Sequence, residues 1–174
     1  MATTTTRPPV ETYRFMADGD IPNNPTLPLL VYRGVLQTDG DAAAACEDRF
    51  ARHGWPAAWR DGVFGYDHYH TTAHEALGVV RGEARVRFGG PAGQTLTLRK
   101  GDVVVIPAGV AHRNEGASRD FLVVGAYPAG QDWDLCPAKP GEQGCAHRNI
   151  DSVPLPASDP VHGADGPLIT HWHA

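Results

Sequence analysis

Short segments in which apolar and polar residues alternate make up most of the chain between residues 62 and 127. In residues 83–88, for example, Ala84, Val86 and Phe88 alternate with charged residues, so the apolar side chains share one face of a strand. Glycine-rich turns separate these segments, and no helical crossover lies between them. This predicts an antiparallel β-sandwich or barrel. The strands predicted in this region are 63–70, 75–81, 83–88, 95–99, 102–106 and 121–127.

The N-terminal part of the chain has a different pattern. Residues 29–33 (LLVYR) follow a group of prolines and predict one further short strand. Residues 41–53 are rich in alanine and predict a helix, which Asp39 or Asp41 can cap and which Gly54 ends. We expect this to be the only well-defined helix.

These patterns divide the chain into three parts. The threonine repeat and paired prolines of residues 1–12 predict a disordered N-terminus. Residues 13–130 form the predicted β domain. Residues 131–174 are rich in Pro, Gly and Asp and lack periodicity, so we interpret them as an irregular tail that packs on the barrel.

Composition and charge exclude several functions. The chain has 174 residues, of which 41% are hydrophobic, and a net charge of -5 without a basic run. Nucleic-acid binding is therefore disfavoured. No stretch is apolar enough for a signal peptide or a membrane span, which predicts a soluble cytoplasmic protein that binds no membrane. The three cysteines, Cys46, Cys136 and Cys145, are sparse and odd in number, so we expect reduced thiols.

A cluster of histidines suggests a metal site. His68, His70 and His74 lie within seven residues and precede Glu75 directly. Residues two apart on a strand share a face, so His68 and His70 are expected to project together. Neutral imidazole and carboxylate oxygen are common ligands of divalent metals. His112 follows a Pro-Ala-Gly turn that can return it to the same place.

Two motifs in this region resemble those of the cupin family. The first is Gly62-(x5)-His68-x-His70-(x4)-Glu75-(x6)-Gly82, and the second is Gly101-(x5)-Pro107-x-Gly109-(x2)-His112. The asparagine that closes the second motif in the family is replaced by Gly116. The flanking segments PNNPTLPLLVYRG and PAGQDWDL are similar to those of the YjlB-type cupins of bacteria.

The resemblance implies an all-β cupin double-stranded β-helix, which is a jelly-roll barrel, with one N-terminal helix and an irregular C-terminal tail. It also implies one divalent metal ion per chain (Fe, Mn, Ni or Zn), held by His68, His70, Glu75 and His112. His74 has no ligand role in the motif, but it can supplement or replace a ligand. Small cupins often pair, so a homodimer is expected as well.

Three further side chains are candidates for contact with a small-molecule substrate. Strand parity places Tyr66 on the face of His68 and His70, although an aromatic that fills the barrel is at least as good an interpretation. Tyr127 is a weaker candidate of the same kind. Arg81 can bind a substrate carboxylate if it faces inward, but an exposed arginine is the commoner outcome.

Two functional hypotheses follow. The first is a metal-dependent enzyme, of dioxygenase or isomerase type, that acts on a small organic molecule. The second is a non-catalytic cupin that binds or senses a small ligand and holds a structural metal. An open cavity beside the metal favours the enzyme, whereas a cavity closed by the tail favours the structural metal.

Overall fold

Two antiparallel β-sheets stacked face to face form the body of the protein in the computed structural model, which describes residues 9–138 and 147–173. The first sheet has six strands in the order β1-β2-β8-β5-β10-β3, and the second has five in the order β11-β4-β9-β6-β7. The elements are β1 Glu11–Phe15, β2 Asn24–Tyr32, α1 Ala42–Arg52, β3 Ala57–Asp61, β4 His68–Tyr69, β5 Glu75–Arg81, β6 Glu83–Phe88, β7 Gln94–Arg99, β8 Val103–Ile106, β9 His112–Ala117, β10 Leu122–Ala126, β11 Cys136–Pro137, a 3₁₀ helix His147–Ser152 and α2 Pro167–Trp172. The all-β jelly-roll prediction is confirmed.

Apolar side chains from both sheets fill the space between them. Leu77 of β5 lies opposite Val104 of β8, and both belong to one buried cluster with Val86 and Phe88 of β6. Each such side chain contributes about 1.5–3 kcal/mol when it is fully removed from water. The alternation in residues 83–88 therefore predicts correctly which side chains of the second sheet face inward.

The outer face of the first sheet is buried too. Leu30 and Val105 lie in a second apolar cluster with Phe50 of α1 and Trp172 of α2. Because helices cover this face, neighbouring residues of the strand Val103–Ile106 are all buried. This explains why that strand is continuously apolar instead of alternating.

Helix α1 begins and packs as its sequence predicts. The side chain of Asp41 accepts a hydrogen bond from the backbone N–H of Ala44 over 3.1 Å. Cys46 and Phe50 face the first sheet at Gly78, where a Cβ atom would stand 2.5 Å from the Cys46 sulfur. Glycine at this position lets the helix approach the sheet closely.

The C-terminal segment is more regular than predicted, since it contains β11, the 3₁₀ helix and the second helix α2. The indole of Trp172 donates to the carbonyl of Pro28 over 2.9 Å, which fixes α2 on strand β2. The buried carboxylate of Asp159 accepts from the hydroxyl of Tyr32 at 2.5 Å and from the backbone N–H of Leu168 at 3.0 Å. Burial of this carboxylate is thus compensated by hydrogen bonds.

Several predicted boundaries are wrong. Of the predicted strand 63–70 only His68–Tyr69 is a strand, because Gly62 and Gly65 lie in a connection between the sheets. The pattern misses β3 and β9, whose exposed residues show no apolar alternation. Glu11 and Thr12, expected to be disordered, open strand β1, while residues 1–8 lie outside the described residues.

The cysteine prediction also needs correction. Cys136 is disulfide-bonded, whereas Cys46 is free and buried. Cys145 lies outside the described residues. Reduced thiols are one of the arguments for a cytoplasmic location. That location stays a prediction. Within the described ranges, every helix is too short or too polar to cross a membrane.

Candidate metal centre

The three residues of the candidate metal centre come from neighbouring points of both sheets. His70 follows β4, Glu75 opens β5 and His112 opens β9. The turn before His112 contains Gly109, whose φ of +93° suits glycine and whose backbone N–H donates to the carbonyl of His70 over 2.7 Å. A Cβ atom on Gly109 would stand 2.4 Å from the carbonyl oxygen of Asn23. This turn therefore positions His112 against His70.

The side chains of this group converge on a carboxylate. His70 Nε2 lies 3.2 Å from Oε2 of Glu75, and His112 Nε2 lies 3.1 Å from Oε1. All three residues are buried, and their candidate ligand atoms lie within 4.8 Å of one another. Oε1 of Glu75 is buried and has no hydrogen bond of ordinary geometry. The group thus has the size and donors of a metal site.

Backbone contacts determine which nitrogen of each ring faces this centre. Nδ1 of His112 lies 3.1 Å from the carbonyl of Val110, and Nδ1 of His70 contacts the carbonyl of Asp134. A carbonyl can only accept, so each Nδ1 carries a proton, and in the neutral ring each Nε2 then presents a lone pair. Lone pairs that face carboxylate oxygens at about 3 Å require a cation between them, which is a proton or a metal ion. This is the arrangement that metal-ligating histidines adopt.

The electrostatics of the group agree with such a shared cation. Burial acts to raise the pKa of Glu75, but the neighbouring His70 and His112 rings hold it well below its ordinary value. Burial acts to lower the pKa of His70, yet the charge of Glu75 and its hydrogen bond leave that pKa raised. The carboxylate is therefore ionised in the folded protein and attracts positive charge to this point.

His68 stands beside the group without being part of it. It is paired with His112 across β4 and β9, and the centroids of the two rings are 4.1 Å apart. Nδ1 of His68 lies 2.9 Å from the carbonyl of Tyr66, so Nε2 is again the free nitrogen. Burial, reinforced by His112, lowers the pKa of His68 to about 3, which keeps the ring neutral.

Tyr127 supports the carboxylate from the side of the first sheet. Its hydroxyl donates to Oε2 of Glu75 over 2.6 Å and accepts the indole N–H of Trp59 over 3.0 Å. Burial and the charge of Glu75 raise the pKa of Tyr127, so the phenol stays protonated. The ring also stacks on Trp133, with centroids 5.4 Å apart and planes 13° apart.

A segment of the C-terminal part, residues 131–137, passes over the centre, and we call it the strap. Oδ1 of Asp134 accepts from the backbone N–H of Thr71 over 2.7 Å, and the hydroxyl of Thr71 donates to the same carboxylate. The hydroxyl of Thr72 donates to the carbonyl of Asp132 over 2.6 Å. These contacts fix the carbonyl of Asp134 against His70.

A cavity of about 350 Å³ opens beside the group. The metal-centre residues His70, Glu75 and His112 form part of its wall, and His68 lines it too. Much of the remaining wall is aromatic or apolar. Among these side chains are Trp59, Phe64, Tyr127, Trp133 and Leu135.

The other predicted candidates lie away from the cavity. Tyr66 stacks on Phe64 with centroids 5.1 Å apart and is not part of the cavity wall. Arg81 is exposed at the end of β5. His74 is fully buried and packs against Trp172 at 4.8 Å, outside the metal group.

His74 also has the opposite tautomer to the metal-group histidines. Its Nδ1 accepts from the backbone N–H of Ala108 over 2.9 Å, so its proton is on Nε2, which makes no hydrogen bond of ordinary geometry. Burial lowers the pKa of His74 to about 4, against the opposing effect of the Val153 and Pro154 carbonyls. It joins the barrel to the C-terminal segment.

Sequence reasoning missed Trp59, Trp133 and Asp134 as parts of the site. Trp59 lies on β3, which no alternation reveals. Trp133 and Asp134 fall in residues 131–174, which the sequence predicts to be an irregular tail. The signal that could have found them is composition, because tryptophan is unusual in an exposed loop.

Comparison with known proteins agrees with the fold and the site. A family model described as "Cupin domain" matches residues 61–124, which include every residue of the metal group. The chain therefore belongs to the cupins. It is 44% identical over 162 residues to "Uncharacterized protein YjlB" of Bacillus subtilis (strain 168), covering 93% of this chain and 96% of that protein. Within the family it is a YjlB-type cupin, as the flanking segments predict.

Solved structures give weaker similarities. A Klebsiella pneumoniae protein with a double-stranded β-helix domain is 15% identical and covers 79% of this chain and 84% of its own, with a TM-score of 0.37. An oxalate decarboxylase is 16% identical over 63% of this chain, with a TM-score of 0.38, and the match spans 27% of that protein. At this level neither structure informs on the chemistry of the site.

Proposed function

We propose that this protein is a metal-dependent enzyme, of dioxygenase or isomerase type, that acts on a small organic molecule. It holds one divalent ion per chain, Fe, Mn, Ni or Zn, through His70, Glu75 and His112, with His68 as the fourth ligand. The observation that carries the proposal is the pair of Nε2 atoms, of His70 and His112, that face the two oxygens of the buried Glu75 carboxylate. A divalent ion bound there supplies Lewis-acid character and a template for substrate.

Other residues near the ion position the ligands and their protons. Tyr127 keeps its proton at the hydroxyl and orients Oε2 of Glu75, so that Oε1 stays directed at the metal position. The carbonyls of Val110 and Asp134 hold the proton of each ligand ring at Nδ1. Trp133 covers one side of Tyr127 and excludes water from its hydrogen bond with Glu75.

The cavity favours an enzyme over a structural metal. A structural site has no need for free volume beside the ion, whereas a substrate does. The strap lies against His70 but leaves about 350 Å³ open next to the group. The alternative, a cupin that binds or senses a small ligand without chemistry, predicts the same metal but no turnover.

Elemental analysis of protein purified without a histidine tag and without added metal tests this proposal. About one iron per chain, with substrate-dependent oxygen uptake after iron reconstitution, identifies the dioxygenase type. Stoichiometric zinc, manganese or nickel without oxygen uptake favours the isomerase or the binder. Absence of metal under all loading conditions contradicts the proposal.

We also propose that the chain forms a homodimer in the cytoplasm. Membership of the cupin family supports the dimer, since small cupins often pair. Light scattering on the purified protein measures the mass, which for a dimer is twice the 18.7 kDa of the chain.

A further inference from the structure

The wall of the cavity includes large apolar side chains that are exposed to solvent. In the described residues five large hydrophobic side chains are exposed, and three of them, Phe64, Trp133 and Leu135, line this cavity. Trp133 is 45% exposed and Phe64 is 48% exposed. Leaving such side chains in water forgoes the free energy that burial would provide, and clusters of them mark binding sites. A ligand that covers them recovers this free energy.

The aromatic side chains provide flat surfaces. Trp133 and Tyr127 are nearly parallel, and the rings of Trp133 and His70 are nearly perpendicular, with centroids 5.7 Å apart. Trp59 is fixed by its hydrogen bond to Tyr127. Aromatic rings prefer offset-stacked or edge-to-face partners at 4.5–7 Å. A planar aromatic molecule therefore fits these walls better than a branched aliphatic one.

The charges of the cavity disfavour an anionic ligand. Among the described residues that line it there is no lysine or arginine, and the carboxylates of Asp61 and Glu75 are both in its wall. A carboxylate or phosphate on the ligand, away from the metal, would lie in an apolar wall without a cation to pair with it. Such burial of an unpaired charge is costly.

Two hydrogen-bonding groups of the wall, those of Tyr127 and Trp59, are already in use. The hydroxyl of Tyr127 is occupied by Glu75 and Trp59, and the indole N–H of Trp59 donates to Tyr127. The metal is therefore the polar partner that we expect a ligand to use. Two oxygen donors on adjacent atoms satisfy this requirement, because they chelate a metal at neighbouring coordination positions, release their protons to solvent on binding, and leave a negative charge that the metal itself balances.

Resting on the proposed function, we propose that the ligand is a planar aromatic molecule of one or two rings, without a charged substituent, that chelates the metal through two adjacent oxygens. An aromatic vicinal diol is the simplest member of this class. The cavity of about 350 Å³ is at the lower end of the usual range for small-molecule sites, roughly 300–1,000 Å³. This size restricts the ligand to one or two rings.

Calorimetry on the zinc-loaded protein tests the ligand class, since zinc is redox-inert and no turnover interferes. The matched probes are catechol and 3,4-dihydroxybenzoate, which carry the same diol and differ by one carboxylate, with oxalate as a small anionic chelator. We expect catechol to bind at least tenfold more tightly than either anion. Equal or tighter binding of 3,4-dihydroxybenzoate or oxalate overturns this proposal and leaves the metal site intact.

A variant tests the aromatic wall separately. Trp133→Ala is expected to weaken binding of 2,3-dihydroxynaphthalene about tenfold, measured on variant and wild-type protein that carry the same amount of bound zinc. Leu155→Ala is the control, since Leu155 is 41% exposed and is not part of the cavity wall. If Trp133→Ala binds the diol as the wild type does, the proposal is wrong.

Failure of the proposed function gives a different result. If the protein does not bind zinc, the proposed function fails, and so does the claim that the ligand chelates a metal. The aromatic wall is then tested with 2-naphthol on metal-free protein, where we expect binding that Trp133→Ala weakens. Absence of naphthol binding overturns the claim that the wall binds planar aromatic molecules.

Discussion

Tyr127 donates its hydroxyl proton to Oε2 of Glu75 over 2.6 Å, and this hydrogen bond links the first sheet to the metal group. The residues are 52 positions apart in the chain. Glu75 is ionised and buried, so its oxygens need compensating partners. Tyr127 donates a hydrogen bond to one oxygen, and the other oxygen can bind a cation.

Tyr127→Phe should therefore lower the stability of metal-free protein by about 1.5–3 kcal/mol, the range for a hydrogen bond to a charged group. The indole N–H of Trp59 loses its acceptor at the same time. Urea unfolding measures the change. Tyr13→Phe is the matched control, because Tyr13 donates to Glu11 over 2.7 Å at a partly exposed position. Equal losses in both variants would mean that burial adds nothing to the Tyr127 bond.

His70→Ala and His112→Ala should each reduce bound metal to well under one ion per chain. Each substitution removes one of the two Nε2 atoms that face Glu75. Metal content by mass spectrometry measures the occupancy. His171→Ala, at an exposed position of α2, should retain the wild-type content. Full occupancy in both ligand variants contradicts the assignment.

His68→Ala should lower metal affinity without abolishing it. Its ring is beside that of His112, but it is outside the group whose ligand atoms lie within 4.8 Å. We expect about a 10–100-fold loss, smaller than that of His112→Ala, because the three ligands of the closer group remain in place. Competition with a chromogenic chelator gives the affinity. A loss as large as that of His112→Ala would show that all four positions are equivalent ligands.

Asp134→Ala should weaken metal retention by about 10–100-fold, as the loss of supporting contacts generally does. The substitution removes the carboxylate contacts of the strap with Thr71 and Thr72, so the carbonyl that orients His70 is held less firmly. Metal release into excess chelator measures the effect. Asp132→Ala, at a neighbouring exposed position of the same strap, is the control and should release metal at the wild-type rate.

His74 should make the metal-free protein less stable in acid. Its pKa is about 4 in the folded protein and about 6.5 in an unfolded chain, so the unfolded state binds more protons between these values. Stability therefore falls as the pH drops through this window, by about 2 kcal/mol at pH 5.

Comparison with His74→Asn isolates this contribution, because asparagine can still accept from the N–H of Ala108. Urea unfolding at pH 7 and pH 5 should show that the wild type loses about 2 kcal/mol more than the variant on acidification. An identical pH dependence for both proteins would assign the acid sensitivity to other groups.

Strand prediction succeeded where one face of a sheet is buried and the other is exposed to solvent, as in residues 83–88. It succeeded also for Val103–Ile106, whose two faces are both covered. It failed for β9, because His112 is its only buried residue and half of the strand is exposed, which leaves no hydrophobic signature. It failed for 63–70, because strand parity was extended through Gly65 into a connection.

The metal group was predictable because its spacing is local. His70 and Glu75 are five residues apart and are joined by one turn, and His112 follows a turn that a proline and a glycine mark. The cavity was not predictable in this way. Trp59 and Trp133 come from opposite sides of the metal motifs in the chain, and only the tertiary fold brings them both to Tyr127.

The strap has a consequence for the order of folding. The carbonyl that holds the proton on His70 belongs to Asp134, 64 residues later in the chain, and the strap follows strands β1 to β10 in the sequence. During synthesis the residues through His112 leave the ribosome before the strap does. We therefore expect the barrel to assemble first and the ion to be retained only after the strap has docked, so that metal loading reports the completion of folding instead of initiating it.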